Sequence, residues 1–427
     1  MMKFKEEFLC FIWQFRLIQH AKLQTTLGEP LEIIHCGFPN SHAGPDFYDV
    51  KIKVGSTIWV GNVEIHVKSS DWHVHGHQIN KAYDNVVLHV VLVDDSPVSR
   101  LDGTLIPTLI VKDLYPQSLV DRYKSLMTTK QYFPCESQIS TVDQIVVHSW
   151  LSRVVVERYE SKYVEVCAIL KQNKGDWDAT LYFLLARGFG FKVNNAPFEM
   201  LARSLNHQLF HKYKDNPVQI EALIFGQAGF LSGDFQERYP VQLQSEYEFL
   251  KKKFNLKPME VSVWKFLRMR PGSFPTKRLA QFAGLMIKSQ HLFSKILEAE
   301  NLQAIKSEFE ALQIHAYWSN HYHFGATSVV SKTQLGALSI ENLIINTVCL
   351  ILFCYGKALD FPFYMDQAFN ILEQLQGENN SIVNRYSNSG IKIETALVSQ
   401  ALLELNKNYC ARKKCLNCGI GIKILRS

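Results

Sequence analysis

The sequence predicts an α+β protein, with an α/β domain over residues 1–135 and a mostly α-helical domain over residues 136–427. Three observations predict it. Apolar residues alternate with period two in several runs before residue 112, as half-buried strands require. From Val142 onward the apolar spacing becomes helical, and no clear strand is expected after about residue 140. A length of 427 residues suits about two to three domains at roughly 100–200 residues each.

In chain order, Glu6 to Gln19 is apolar at Phe8, Leu9, Phe11, Ile12, Trp13, Phe15, Leu17 and Ile18, which predicts a largely buried opening helix. Leu31–His35 is a short strand, and a turn-rich loop from Gly37 to Gly44 follows. In the next run Val50, Ile52 and Val54 alternate with Asp49, Lys51 and Lys53; Gly55-Ser56-Thr57 signals a turn; then Val63, Ile65 and Val67 alternate with Glu64, His66 and Lys68. Two alternating runs around a short Gly-containing turn read as a hairpin. Ser69 to Trp72 reads as a loop, Asn85–Val93 as a buried central strand, and Leu105–Val111 as a further strand. Nearly continuous β-branched runs suit strands covered on both faces. Asp121–Tyr132 reads as a connector. Helices are then expected over Trp150–Leu170, from Asp176 to Ala186, and over Glu221–Phe230, Tyr247–Lys253, Glu298–Leu312, Lys357–Gln376 and Thr395–Asn406.

Composition is that of an ordinary globular chain, 47% apolar and 20% charged. No run of about 18 uncharged apolar residues appears, and Leu343–Tyr355 reads as a buried core helix, so no membrane partner is expected. The N-terminal stretch carries acids early and lacks a secretory cleavage pattern, which predicts a soluble cytoplasmic protein. Residues 1–130 hold 13 Lys+Arg and 14 Asp+Glu, so the net charge of +6 comes from the remainder. A basic excess there suits a polyanion such as nucleic acid.

Most of the unusual chemistry lies between Gly44 and Val93. The hairpin brings Asp46 level with the Glu64 region, and Glu64, His66 and Lys68 share one strand face. Two such carboxylates can share Mg²⁺ or Mn²⁺, with waters and a substrate phosphate completing the shell. Pro45-Asp46 followed by Glu64-Ile65-His66, on a hairpin after a helix, resembles the PD-(D/E)XK nuclease superfamily, the restriction-endonuclease-like fold. The resemblance implies a metal-dependent nuclease or phosphodiesterase, with Asp46 and Glu64 holding the metal and His66 or Lys68 serving the attacking water. His66 stands where that pattern has lysine, and Lys68, two residues on, is the available substitute. The same departure suits a non-catalytic nucleic-acid-binding protein with a degenerate site. Glu6 or Glu7 is placed to reach the site as a helix acid does in part of that superfamily; equally, both suit the dipole of a helix N-terminus.

His73, His75 and His77, with Asp71 ahead of them, offer imidazoles to zinc or another transition metal, and hence a zinc-dependent hydrolase; a polar loop or a phosphate contact is the plainer alternative. Asp84 and His89 can support the site, and His89 also reads as a satisfied core histidine. The loop Arg268 to Arg278 is basic, and Arg268, Arg270, Lys277 and Arg278 can hold nucleic-acid phosphates or cap helix carbonyls. The aromatics from Tyr317 to Phe324 can stack nucleobases or form core. Cys410, Cys415 and Cys418 are spaced as ligands for Zn²⁺ or an iron–sulfur cluster, with Cys135 or a histidine as the fourth ligand, against a reading as free buried thiols.

The stretches Asn40–Asp46, Gly61–His77, Tyr83–Val91, Glu221–Leu231 and Trp264–Gln281, with the terminal cysteine segment, resemble an uncharacterised bacterial family, domain of unknown function 2851. That resemblance implies an intact family member and no particular activity.

Overall fold

The computed structural model of the chain describes residues 5–19 and 23–427. The chain divides into two compact units, one of residues 1–151 with 384–391 and 404–427, the other of residues 152–383 with 392–403. This differs from the expected division at residue 135. The cut falls inside the long helix Gln144–Gln172, and the C-terminal segment belongs with the sheet.

The first unit opens with α1 (Glu6–Gln14), whose first-turn acids suit the helix dipole. It buries Phe8, Leu9, Phe11, Ile12 and Trp13. A six-stranded sheet follows, of β1 (Leu31–His35), β2 (Phe38–Pro39), β3 (Phe47–Val54), β4 (Thr57–Lys68), β5 (Val86–Val93) and β6 (Thr108–Ile110), in the order β1-β3-β4-β5-β6 with β2 paired to β3. The β1–β3 and β3–β4 pairs are antiparallel, and β4–β5 and β5–β6 are parallel. Val54 pairs with Thr57 across Gly55-Ser56, with Gly55 at φ +58°, the positive φ that two-residue hairpin turns require.

The expected alternation in β3 is interrupted. Register shifts between Phe47 and Val50, and Asp49 takes φ +55°. This bulge exposes Tyr48 and Asp49 together, so Phe47 and Val50 are both buried. It also sets Phe47 opposite Val63. The stretch expected as a loop after β4 contains a short helix, α2 (Asp71–Val74), and two 3₁₀ turns before β5. Residues Val86–Val91 are buried on both faces, as their composition predicts.

The connector expected over Asp121–Tyr132 is largely a helix, α3 (Gln117–Thr128). Leu119, Val120, Tyr123 and Leu126 are its buried stripe, a helical spacing. The last helix, Gly419–Arg426, is tied to α3 by the Arg122 guanidinium, which donates to Leu425 O from Nε at 3.2 Å and Nη2 at 3.0 Å.

The second unit is helical apart from one small hairpin, His321–His323 with Ala326–Thr327, which corrects the expectation of no strand after residue 140. Its helical run Ala337–Ala358 is long and apolar enough to cross a membrane by length and composition; 67% of its most apolar window is buried inside the protein.

Gly61 marks the closest approach of β4 to the chain entering β5. A Cβ there would stand 2.5 Å from Asn85 O and 2.5 Å from Val87 Cγ1. Gly61→Ala is expected to cost about 1–3 kcal/mol and lower the melting temperature. Gly272→Ala, whose Cβ meets nothing within 4 Å, should change stability by about 0.5 kcal/mol or less. Equal melting temperatures for the two variants would refute this packing.

Candidate metal centre

The β3–β4 hairpin locks its two carboxylates to each other's backbone. Asp46 N–H donates to Glu64 Oε2 at 3.1 Å, and Ile65 N–H donates to Asp46 Oδ2 at 3.0 Å. Parallel pairing then sets Glu64 in register with His89 of β5. His66 Nδ1 meets His89 Nε2 at 2.8 Å, which turns His66 Nε2 toward His75 Nδ1, 3.1 Å away. Glu64 Oε1 lies 3.5 Å from His66 Nε2 and 3.2 Å from His77 Nε2. The ligand atoms of His66, His75 and His77 all fall within 4.8 Å of one another. The sequence therefore brings together Asp46, Glu64, His66, His75 and His77.

α2 and the turn after it deliver the outer imidazoles. His75 ends α2, and Gly76 takes φ +73° and reverses the chain so that His77 points back. Tyr83 stacks on the His77 ring at 3.8 Å, and Trp72 meets His77 and His89 at 5.3 and 5.5 Å. These two aromatics hold the imidazole planes.

The centre is layered. Glu64 is 6% exposed, His66 1% and His89 0%, whereas His75 is exposed and Asp46 half-buried. Burial, then the Asp46 carboxylate, pushes Glu64 up to about 9. Burial, then the neighbouring imidazoles, lowers His66 to about 3 and His77 to about 4; burial, then His66, lowers His89 to about 3. Burial also raises Asp46. His77 Nε2 has no hydrogen-bond partner despite its burial. Imidazole nitrogens and carboxylate oxygens facing one another in this way form a donor set for a borderline transition metal. Glu64, His66, His75 and His77 fit as its ligands, and His89 fits as the group that orients His66.

Other candidates lie elsewhere. His73 turns away and bonds Pro97 O through Nε2 at 3.1 Å. Lys68 pairs with Asp95 at 3.7 Å, its side chain 59% exposed. Asp71 accepts from Lys68 N–H at the head of α2, and Asp84 is exposed. In the second unit Arg268 and Arg270 are exposed, but Lys277 is buried and donates to Trp318 O and to Ser331 Oγ. Arg278 donates to Gln281 and Ser339. Lys277 is therefore spent inside the protein and not available to a phosphate. Trp318 is fully buried and stacks on Phe225, whereas Tyr317, Tyr322 and Phe324 are half-buried.

Glu6 of α1 joins the centre's edge, with His75, Asp46 and Asp71 as its charged neighbours and the Val67 N–H as a donor. The sequence offered it only as one of two alternatives. Tyr83 and Trp72 carried no local signal beyond being aromatic.

Folded, Glu64 keeps its proton to about pH 9 and His77 stays neutral above about 4; unfolded, the two groups release theirs at about 4.3 and 6.5. Above pH 6.5 the folded state thus binds more protons, and stability falls as pH rises. His66 and His89 act oppositely: their lowered values cost stability as pH drops from 6.5 toward 3. Metal-free protein is expected to melt highest near pH 6.5 and to lose about 2–3 kcal/mol by pH 9. Glu64→Gln should flatten that alkaline limb. Melts in chelator that keep rising to pH 9 would contradict this.

A family model described as a protein of unknown function (DUF2851) matches residues 6–381, ending before Cys410, Cys415 and Cys418. No curated protein and no solved structure matches the chain. With most of its length matched, the chain belongs to the DUF2851 family of proteins of unknown function.

Proposed function

We propose that this protein is a metal-dependent hydrolase of phosphodiester bonds in nucleic acid. The observation that carries this is the convergence of Asp46 and Glu64 with three imidazoles at a half-open place on one hairpin. The element order also supports it. One helix, antiparallel strands, a crossover and then parallel strands approximates the order of a restriction-endonuclease-like core, in which Asp46 and Glu64 would take the acidic positions.

A divalent cation bound there supplies polarisation of a phosphoryl oxygen and a lower pKa for water. Glu64, His66, His75 and His77 would hold it. Asp46 uses Oδ2 on Ile65 N–H, and its other oxygen would take a proton from the attacking water. Glu6 would orient that water from α1. His89, Trp72 and Tyr83 keep the imidazoles in place, and no lysine is needed. Arg268 and Arg270 are the exposed cations for the polyanion.

A second reading, a zinc-dependent hydrolase of another substrate class, is favoured by the preponderance of imidazole over carboxylate in the donor set. It uses His75 and His77 of the predicted histidine loop and leaves out His73.

Both readings are tested by loading the chain with Zn²⁺, Mn²⁺ or Mg²⁺ and offering single- and double-stranded DNA and RNA, an activated phosphodiester and an activated carboxylic ester. Cleavage is expected with Zn²⁺ or Mn²⁺. Asp46→Ala, Glu64→Ala and His77→Ala should each lower kcat/KM by about 10²-fold or more. His73→Ala and Lys68→Ala should leave it within about threefold, because those side chains face Pro97 and Asp95. Failure of metal-loaded protein to cleave any of these substrates overturns the nuclease reading; cleavage of an activated ester alone favours the second.

A further inference from the structure

A cavity of about 390 Å³ opens in the second unit, between the turn that follows the helix Trp177–Phe189 and the start of the helix Pro275–Lys288. That volume falls in the range of small-molecule sites, roughly 300–1,000 Å³. Phe189 and Phe198, both fully buried, line it together with Met269 and Leu338. Its charged lining is Lys192 and Arg278; among the described residues that line it, none is Asp or Glu.

Arg278 carries a charge that the protein does not balance. Its Nη1 donates to Gln281 Oε1 at 2.9 Å and its Nη2 to Ser339 Oγ at 3.3 Å, both neutral acceptors, while its Nε is buried with no hydrogen-bond partner. Burial lowers its pKa to about 10, and no carboxylate opposes that shift. A desolvated cation is ordinarily paired, because an unpaired one loses its hydration and gains nothing. Its own helix opposes it as well: the first turn of Pro275–Lys288 holds no acid, and the positive end of a helix disfavours cations. The walls nevertheless hold the guanidinium in place. The Phe191 ring packs against it, 4.3 Å from centroid to Cζ. Phe191 sits at φ +47°, a conformation that bulky residues rarely adopt and that persists where the surroundings over-determine it, commonly at ligand sites. Asn194 clamps the adjoining segments, donating to Lys265 O at 2.9 Å and accepting from Lys265 N–H at 2.9 Å.

We propose that this cavity binds a small organic anion, with its carboxylate or phosphate head on Arg278 and a flat apolar body against Phe189 and Phe198. A guanidinium matches the oxygens of either head through parallel N–H···O bonds, and the free Nε is the donor that such a head would take up. The Ser273 hydroxyl and the Asn342 amide line the same cavity and can donate to a further oxygen. Lys192, exposed at the lining, supplies a second cation. A bare inorganic ion would leave the apolar walls wet, and a neutral molecule would leave Arg278 unpaired, so both parts of the ligand are specified. The site is independent of the hairpin chemistry.

The test uses the full chain with metal removed by dialysis, so that no anion binds through the hairpin centre. It is titrated calorimetrically with benzoate and with phenyl phosphate, and with benzyl alcohol as a neutral molecule of similar shape. Saturable binding of at least one anion is expected at a Kd of about 1 mM or tighter, and the tighter of the two identifies the head group. Benzyl alcohol should bind at least about tenfold more weakly, and Arg278→Met should weaken the anion by about tenfold or more. Ser339→Asp sets a carboxylate at the position that Arg278 Nη2 faces. It should weaken the anion as much and raise the melting temperature, because the guanidinium then has a partner inside the protein. No saturable binding of either anion up to about 10 mM, benzyl alcohol binding as tightly as the anions, or full anion affinity in Arg278→Met or Ser339→Asp would overturn the proposal. If Arg278→Met fails to fold, Ser339→Asp decides alone.

Discussion

Two carboxylates that hold each other's backbone are the constraint on which the first unit's chemistry depends. Asp46 N–H binds Glu64, and Ile65 N–H binds Asp46. Each carboxylate is thereby fixed by a strand it does not belong to, and neither can turn without breaking the hairpin's end. The bulge at Asp49 makes the arrangement possible, because it sets Phe47 opposite Val63. Glu64 then faces β5 in register with His89, and His66 follows on the same face.

Burial suppresses the usual charges of the groups this geometry collects: Glu64 is raised to about 9, while His66, His77 and His89 are lowered. Hydrogen bonds join His66 to His89 and to His75, while His77 Nε2 is left without one; on the proposed reading a cation would satisfy it, as buried polar groups are ordinarily paired or bound to metal. His89 and Tyr83 accept no role in ligation, but they prevent the rings from relaxing away.

Much of this was legible in the sequence, and the losses have identifiable causes. The hairpin reading set Asp46 level with the Glu64 region, where Asp46 N–H meets Glu64 and Ile65 N–H meets Asp46. The bulge was hidden because its positive-φ residue is Asp49 and not glycine. The His-x-His-x-His row looks equivalent in sequence, yet residues two apart on a helix point to different sides. His73 and His75 therefore separate on α2, and only the left-handed Gly76 returns His77 to the cluster. Lys68 keeps the parity of Glu64 and His66 but ends its strand beside Asp95. The helix α3 had a readable stripe in Leu119, Val120, Tyr123 and Leu126. Lys277 could not be read as buried, because its partner carbonyl at Trp318 is supplied by tertiary structure alone.

The layering of the centre adds a constraint on any anionic substrate. The open side, at His75, is bordered by the carboxyl groups of Glu6, Asp46 and Asp71. Without a cation that rim repels a phosphate, since like charges at short range in a partly desolvated site cost far more than in water. On the proposed reading, a divalent cation seated on Glu64, His66, His75 and His77 would offset part of that repulsion. On the proposed reading, the same charge then governs both substrate entry and the chemical step. Metal and substrate binding would be linked, so each strengthens the other by the same factor. That linkage would come from the cation's attraction for the anion, set against the repulsion of the rim carboxylates.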